Sequence, residues 1–501
     1  MPAATPAVEG RLASEGESLR GRAARGAVIN GAYLAGFYSL SLLRGFAVAA
    51  FLSLTEFGAW GVLAIALGTM LALKQVGIGD KYIQQSDGAQ DEAFARAFTL
   101  ELLATGAASA VLAIAVPLLA LLYGRAELIA PGLILALAPL GTALQAPLWI
   151  FYRRMDFVRQ RRLQAVDPVV SFAITVAMAA AGAGYWSLIV GTVAGAWAGG
   201  LVALRACPYR LRLSYDHGAM RQYAAFSWPL LLASLTPIVM AQTSALAGAQ
   251  AVGLAGVGVI VLAGSIADYT NRVDAIVTET LYPLICAVRE RADVMLEAFV
   301  KSNRLALMWG VPFGIALALF GSDLVEFVLG ARWRPGVHLI QAFGAIAAAN
   351  HIGFNWDAFF RAHGRTRPVA VWSLITLASF LACALPLLIV EGLDGFALGM
   401  AVVTAVSLLV RAVYLRRLLP GLRLLRHTGR ALIPSVPAVL VVLLSRAAEP
   451  RHRSSVMALA ELAAYLIITA GATWAAERLL LREVVGYLRG RTRARQMVTA
   501  T

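Results

Sequence analysis

Residues 153–162 read RRMDFVRQRR and lie between two apolar stretches, 127–152 and 165–183. The same alternation continues in both directions along the chain. Arginines also collect in the gaps 205–221 and 411–430, whereas the gaps between the basic segments are short and nearly uncharged. Because basic loops stay on the cytoplasmic side of a membrane, arginines in every second gap indicate a polytopic membrane protein and predict its orientation.

The composition excludes an ordinary soluble domain. Of the 501 residues, 59% are hydrophobic and only 14% are charged, against roughly 25% charged residues in soluble domains. The net charge of +15 could suggest a nucleic-acid-binding protein. The arginines, however, are dispersed at the borders of apolar stretches and do not form one basic face with interleaved aromatics. We therefore expect a lipid bilayer, and no nucleic acid, as the partner of these charges.

The sequence carries no motif that indicates catalysis or a cofactor. Its three cysteines are scattered and form no cluster with histidine, so disulfides and a structural metal are not expected. No GxxxxGK[ST] run indicates a nucleotide site. The glycine-rich stretch 191–200, GTVAGAWAGG, predicts close helix packing and not a phosphate cradle. These features predict a transporter and not an enzyme.

Fourteen apolar stretches approach the length of about 20 residues that a membrane-spanning helix needs. With the N-terminus in the cytoplasm, most Lys and Arg residues fall in cytoplasmic segments, and an even number of spans then places the C-terminus there as well. Residues 1–26 are expected to be a flexible tail without a cleaved signal peptide. The predicted spans are 27–53, 57–79, 95–123, 127–152, 165–183, 185–205, 224–247, 251–275, 303–329, 337–360, 367–390, 394–418, 431–446 and 455–477.

A weak internal repeat divides the chain into two halves. Phe151-Tyr152-Arg153 resembles Phe359-Phe360-Arg361, and further short strings recur in the same order about six spans later. Six is even, so both halves start on the same side, as in transporters built from parallel repeats with a site between them. The predicted units are an N-lobe (27–206), a linker (207–223), a C-lobe (224–420), helices 13–14 (421–480) and a basic tail (481–501).

Several strings at the ends of the spans resemble one transporter family. They are Leu54-Thr55-Glu56-Phe57-Gly58, Val76-Gly77-Ile78-Gly79-Asp80 with Gln84-Gln85, Arg154-Met155-Asp156-Phe157, Gly184-Tyr185-Trp186-Ser187-Leu188, and Leu329-Gly330-Ala331-Arg332-Trp333-Arg334-Pro335. In order and spacing, over about residues 28–420, the chain resembles the polysaccharide transporters. These are the Wzx-type flippases of the multidrug/oligosaccharidyl-lipid/polysaccharide exporter superfamily.

The resemblance implies an all-α fold of two six-helix lobes that form a V-shaped central cavity, with two further C-terminal helices. It implies a bacterial inner-membrane protein that flips an undecaprenyl-diphosphate-linked oligosaccharide to the outer leaflet for exopolysaccharide, capsule or O-antigen synthesis. A polysaccharide polymerase and a chain-length regulator would be its partners, and the protein itself would be a monomer without a cofactor. In this branch the cavity is typically cationic, and a related lipid II flippase branch has functional arginines in spans one, two and eight.

Three basic residues occupy the corresponding spans of this chain, namely Arg44, Lys74 and Arg272. A charge in the bilayer costs roughly 3 kcal/mol or more, so each is a candidate for diphosphate binding. Arg44 is the strongest candidate, because it shares one helical face with Asn30, Tyr33 and Ser41. Its alternative role is an ion pair that locks the structure, and Lys74 could instead extend to the membrane interface.

The second group of candidates lies in the C-lobe. Asp268 and Asp274 flank Arg272 in the predicted eighth span, either as part of the cavity or, for Asp268, as a simple i,i+4 ion pair. The predicted tenth span contains Asn350, His351, Asp357 and Arg361. The face shared by Asn350, Asp357 and Arg361 suits either a proton relay or sugar contact, or hydrogen bonding between helices. His351 could titrate near neutral pH or be a packing residue.

Two other functions fit parts of the sequence. A multidrug antiporter of the same superfamily generally needs a carboxylate in the N-lobe cavity, and the first span has Arg44 and no acidic residue. A membrane glycosyltransferase or polymerase would need a long outer loop, but the outer loops around 331–336 and 447–454 are short. The flippase is therefore the favoured function, and the antiporter is the alternative.

Overall fold

The computed structural model describes residues 19–74, 78–84, 90–154, 156–215, 218, 236–271, 274, 278, 285, 291–363, 365, 367–448 and 453–488. This part of the chain is helical and contains no strand. We number its long helices α1 (Leu19–Phe51), α2 (Leu54–Lys74), α3 (Gln90–Leu122), α4 (Ala126–Arg153, in three short pieces), α5 (Phe157–Ala180), α6 (Trp186–Arg205), α7 (236–251), α8 (Gly253–Asp268), α9 (Ala292–Leu324), α10 (Val337–Asn350), α11 (Arg367–Ser379), α12 (Leu385–Leu418), α13 (Val436–Ala448) and α14 (Ser455–Leu488).

The helices agree with the predicted polytopic all-α fold. In the described residues, nine helices are long and apolar enough to cross a membrane, and α1 and α8 contribute shorter apolar helices. One of the nine, Arg367–Leu418, has 52 residues, but the chain reverses inside α12 at Gly392, whose φ is +67°. Its two arms pack together, because Trp372 Nε1 donates a hydrogen bond to Ser407 Oγ at 2.8 Å. This helical segment therefore supplies two antiparallel crossings.

The two lobes meet where α2 crosses α8. A Cβ on Gly58 would lie 1.8 Å from the carbonyl oxygen of Leu254, and one on Gly258 would lie 2.3 Å from that of Leu54. Only glycine permits backbones to approach so closely, as in small-residue contacts between transmembrane helices. We call this contact the α2–α8 crossing.

The turn 331–336 of the C-lobe covers the last residues of α1. The final carbonyls of a helix have no partner within the helix, and here side chains of the turn satisfy them. The buried Trp333 donates from Nε1 to the Ala49 carbonyl at 2.9 Å, while Arg332 donates to those of Ala50 and Phe51. We call this contact the α1 latch. The α1 latch and the α2–α8 crossing lie at the same end of the bundle, which we call the closed end.

The helices α13 and α14 are attached to α9 by ion pairs at both ends. Near the closed end, Asp323 of α9 and Glu461 of α14 share Arg446 and Arg453, with N–O distances of 2.5 to 3.4 Å. At the opposite end, Arg304 of α9 contacts Glu477 of α14 at 2.9 Å. The two C-terminal helices are therefore tied to the C-lobe.

The opposite end of the bundle, which we call the arginine-rich end, carries the basic segment that joins α4 to α5. Its guanidinium groups lie over aromatic rings, as cations favour. Arg153 lies 5.4 Å from the ring centre of Tyr82 and donates to the Tyr82 carbonyl at 2.6 Å, and Arg159 lies 4.7 Å from that of Phe151. Burial raises the pKa of Tyr82 to about 12, so this phenol stays neutral beside Arg153.

Candidate functional site

A cavity of about 790 Å³ lies inside the N-lobe. The helices α1, α2, α4, α5 and α6 form its wall. Most of the lining is apolar, including Phe37, Trp60 and Phe172. The polar and charged side chains on the wall are Tyr33, Ser41, Arg44, Thr142, Gln145, Gln164, Asp167, Ser171 and Thr192. An apolar cavity with a few polar groups is the usual form of a ligand site.

Arg44 is the basic group of the deep part of this wall. It donates from NH1 to Ser171 Oγ at 2.7 Å. Among the described residues, no carboxylate lies within ion-pair distance of its guanidinium, although Asp167 is near enough to interact electrostatically. Tyr33 and Ser41, two other residues of the predicted polar face of α1, line the same cavity. The guanidinium therefore retains donors for an anionic ligand.

Asp167 is a residue that the sequence did not identify. It projects from α5 into the same cavity and accepts a hydrogen bond from Gln145 Nε2 at 2.9 Å. Glycines of α6 make room for this pair: a Cβ on Gly195 would lie 2.8 Å from Asp167 Oδ1, and one on Gly199 would lie 2.9 Å from Gln145 Nε2. The glycine-rich stretch 191–200 thus serves helix packing, as predicted. The cavity therefore contains a carboxyl group as well as the Arg44 guanidinium.

The part of the cavity nearest the arginine-rich end has an aromatic and basic rim. The Arg161 guanidinium lies 4.9 Å from the ring centre of Tyr33 and donates to Gln164 Oε1 at 2.6 Å. Both Tyr33 and Gln164 line the cavity. A ligand that entered from this end would pass Arg161 before it reached Arg44.

The predicted C-lobe residues lie apart from this cavity. Asp357 and Arg361 form an i,i+4 ion pair at 2.9 Å, and Asp268 accepts a hydrogen bond from Asn271 at 2.9 Å. Asp274 lies 3.1 Å from His351, and the Asn350 carbonyl accepts a hydrogen bond from Arg411 at 2.7 Å. None of these side chains lines the N-lobe cavity.

Three predicted residues cannot be placed at this site. Arg272 lies outside the described residues, and so do the side chains of Asn30 and Lys74; Lys74 is the last residue of α2. Their assignment to diphosphate binding or to the cavity stays a prediction. Within the described part of the chain, no group of three His, Cys, Asp or Glu side chains could hold a metal ion.

Comparison with known proteins supports a transporter fold. A family model described as "Polysaccharide biosynthesis protein" matches residues 47–338. No curated protein sequence matches the chain. The lipid II flippase MurJ, in an inward closed conformation, is similar with a TM-score of 0.68 at 12% identity, covering 91% of this chain and 100% of MurJ.

Multidrug transporters of the MATE family have a similar structure too. An inward-facing MATE transporter of the MOP superfamily gives a TM-score of 0.63 at 12% identity, covering 78% of this chain and 98% of the transporter. An outward-facing MATE transporter of the same superfamily gives a TM-score of 0.53 at 15% identity, covering 79% of this chain and 96% of the transporter. At these identities the similarity establishes the fold.

Proposed function

Because the chain belongs to the family of polysaccharide biosynthesis proteins, we propose that it flips a lipid-linked oligosaccharide across the membrane. The lipid would be undecaprenyl diphosphate, and the sugar would move from the cytoplasmic to the periplasmic leaflet of a bacterial inner membrane. The family match and the transporter fold support transport in general. The nature of the substrate is an inference from the cavity.

The observation that carries this proposal is the position of Arg44. A guanidinium has five donors in a planar fork and can bind two phosphate oxygens at once. Arg44 uses NH1 on the neutral Ser171 hydroxyl and lies in a cavity with a mostly apolar wall. In such surroundings a charge-assisted hydrogen bond to a diphosphate is stronger than it would be in water. The aromatic side chains of the wall suit stacking against sugar rings.

The distribution of arginines suggests the direction of transport. If basic loops face the cytoplasm, the arginine-rich end is cytoplasmic and the closed end is periplasmic. The lipid-linked sugar is made in the cytoplasm, and the cavity would receive it from the end that carries Tyr33 and Gln164, with the α2–α8 crossing and the α1 latch shut on the far side. The headgroup would enter past Arg161, and opening of the closed end would release it. Substrate can drive this change only by binding the two states with different affinity.

The test is a deletion strain complemented with variants, assayed for surface polymer and, by mass spectrometry, for undecaprenyl-linked intermediates. Loss of polymer with accumulation of complete lipid-linked units is expected for the deletion and for Arg44→Ala. Arg44→Lys should restore only part of the export, because an ammonium cannot bind two oxygens in one plane. Leu43→Ala is a matched control, since Leu43 is exposed on the same helix. Normal polymer in Arg44→Ala would refute the assigned role of Arg44.

A multidrug antiporter is the second candidate, and Asp167 favours it. The first span has no carboxylate, but α5 places one in the same cavity, where an antiporter would use it for a cation or proton. An Asp167→Asn variant separates the two functions. An antiporter would lose drug resistance completely, whereas a flippase would keep polymer export within a few-fold, because the amide still accepts from Gln145. New drug sensitivity of the deletion strain with normal polymer would favour the antiporter.

A further inference from the structure

The C-lobe contains a buried polar cluster where α10 breaks. After Asn350 the chain passes through Gly353, with a φ of +68°, before the short helix Trp356–Ala362 begins. The carbonyls at such a break lose their helical partners. Arg411 of α12 donates from NH1 to the carbonyls of residues 350 and 352 at 2.7 and 2.8 Å, and Asn303 of α9 donates to that of His351 at 2.8 Å. Side chains from two neighbouring helices therefore stabilise the break.

The imidazole of His351 lies at the centre of this cluster. The residue is 0% exposed, and α9 approaches it closely, because a Cβ on Gly310 would lie 2.2 Å from the ring. Nδ1 lies 2.7 Å from the Ala347 carbonyl oxygen. Nε2 lies 3.0 Å from the Thr270 carbonyl oxygen and 3.1 Å from Asp274 Oδ2. Both ring nitrogens therefore face oxygen atoms.

This arrangement of donors and acceptors requires an additional proton. A carbonyl oxygen can only accept, so the hydrogen between Nδ1 and Ala347 must be on the ring. A neutral imidazole has no second N–H, and its Nε2 lone pair would then face Asp274 and Thr270 with no hydrogen between them. One further proton, on Nε2 or on the Asp274 carboxyl, removes that repulsion. Asp274 Oδ1 is also buried and has no hydrogen-bond partner among the described residues, which is less costly for a shared or neutral carboxyl.

We propose that His351 and Asp274 together form a proton-binding site that holds the segment following α8 against the α10 break. The ligand is a single proton, shared between the imidazole and the carboxyl group. It would enter by way of Asp274, whose side chain is 12% exposed, whereas that of His351 is 0% exposed. The site lies apart from the N-lobe cavity and needs no substrate.

The charged groups around the site fit a carboxyl that exchanges a proton. Arg411 of α12 attracts both Asp274 and Asp357 electrostatically. It therefore stabilises the negative charge that Asp274 carries after the proton has left. On the short helix after the break, Asp357 pairs with Arg361 at 2.9 Å. The charged residues of α9 on either side of Ser302 and Asn303 have other partners: Lys301 pairs with Glu297 and Arg304 with Glu477.

Release of the proton would loosen the helix contact. The bare Nε2 would lie 3.0 Å and 3.1 Å from two oxygens, and the simplest relief is separation of Thr270 and Asp274 from the α10 break. Because α8 also forms the α2–α8 crossing, a shift of this helix would also change the contact between the lobes. A rise in pH therefore favours a local opening at residues 351–356.

Hydrogen–deuterium exchange of the full-length protein in lipid nanodiscs tests this proposal. Peptides that cover 345–360 are followed at pH 6 and pH 8.5, with rates corrected for intrinsic exchange. An unperturbed histidine titrates near pH 6.5, so these values bracket both a normal and a moderately raised titration. In the wild type, protection of this segment should fall about tenfold or more at the higher pH, the loss expected for a charged hydrogen bond.

His351→Gln and Asp274→Asn should each make the protection nearly independent of pH, because the amide N–H of the new side chain supplies a fixed hydrogen between positions 351 and 274 in place of the exchangeable proton. The control is His338→Gln, which removes an exposed histidine that also pairs with a carboxylate, at 3.2 Å from Asp394. It should behave like the wild type. Asp274→Asn keeps the shape of the side chain, so this variant alone tests the proposal if His351→Gln does not fold. No pH dependence in the wild type, or the same dependence in Asp274→Asn, would overturn the proposal. Substrate is absent throughout, so the outcome is independent of the flippase assignment.

Discussion

Replacement of Gly58 by alanine should prevent the α2–α8 crossing from closing fully. The added methyl would lie 1.8 Å from the Leu254 carbonyl oxygen, where a carbon–oxygen contact needs about 3.3 Å. The helices must therefore separate by about 1.5 Å at this point. Because both partners are main-chain atoms, no side-chain rotation can relieve the overlap. Overpacking of this kind costs about 1–3 kcal/mol, which shifts the equilibrium between closed and open forms about 5- to 150-fold.

Electron–electron distance measurements can detect this shift. Spin labels at the exposed positions Glu127 and Asp394, on the N-lobe and C-lobe sides of the closed end, would report the separation in a background without native cysteines. Gly58→Ala should enrich the longer distances. Gly68→Ala on the same helix is the control, because a Cβ there meets no atom within 4 Å. If Gly58→Ala and Gly68→Ala give the same distribution as the wild type, the crossing is not a closure contact and the reasoning fails.

Two further variants test the other contacts of the closed end. Trp333→Phe removes the hydrogen bond to the Ala49 carbonyl, which is worth about 1 kcal/mol. It should therefore raise the open fraction about fivefold in the same distance measurement. Its control is Trp474→Phe, at an exposed site, which should leave the open fraction unchanged. Asp323→Asn leaves two arginines with one carboxylate, which should destabilise the protein by about 3 kcal/mol and lower the thermal unfolding temperature. Asp394→Asn is its exposed control, and equal unfolding temperatures in the two variants would show that the ion pairs do not anchor α13 and α14.

The sequence predicted the membrane helices because the bilayer imposes a simple rule on composition. Long apolar stretches and basic gaps can be identified residue by residue, and the part of the chain that the structure describes has helices in the corresponding places. Arg44 could be found in the same way, because a charge inside an apolar helix is conspicuous. Its neighbours on α1 followed from helical periodicity, and Tyr33 and Ser41 indeed line the cavity.

The parts that the sequence did not predict depend on contacts between distant segments. Asp167 lies beside Pro168 at the start of a predicted span, where a carboxylate looks like an ordinary interfacial residue. Only the packing of α5 on α6 and α4 places it in the cavity next to Gln145. Likewise, Trp333 belonged to a string that indicated the family, but its contact with Ala49, 284 positions away, gave no local signal.

The α1 latch has an unequal tolerance to mutation on its two sides. Trp333 and Arg332 contribute side chains, whereas α1 contributes only the carbonyls of residues 49–51. Every amino acid supplies such a carbonyl, so the side chains at positions 50 and 51, which are not buried, can vary without removing an acceptor. Selection for closure therefore acts on the identity of the residues in the turn, and at positions 50 and 51 of α1 it acts on the requirement that the helix ends there.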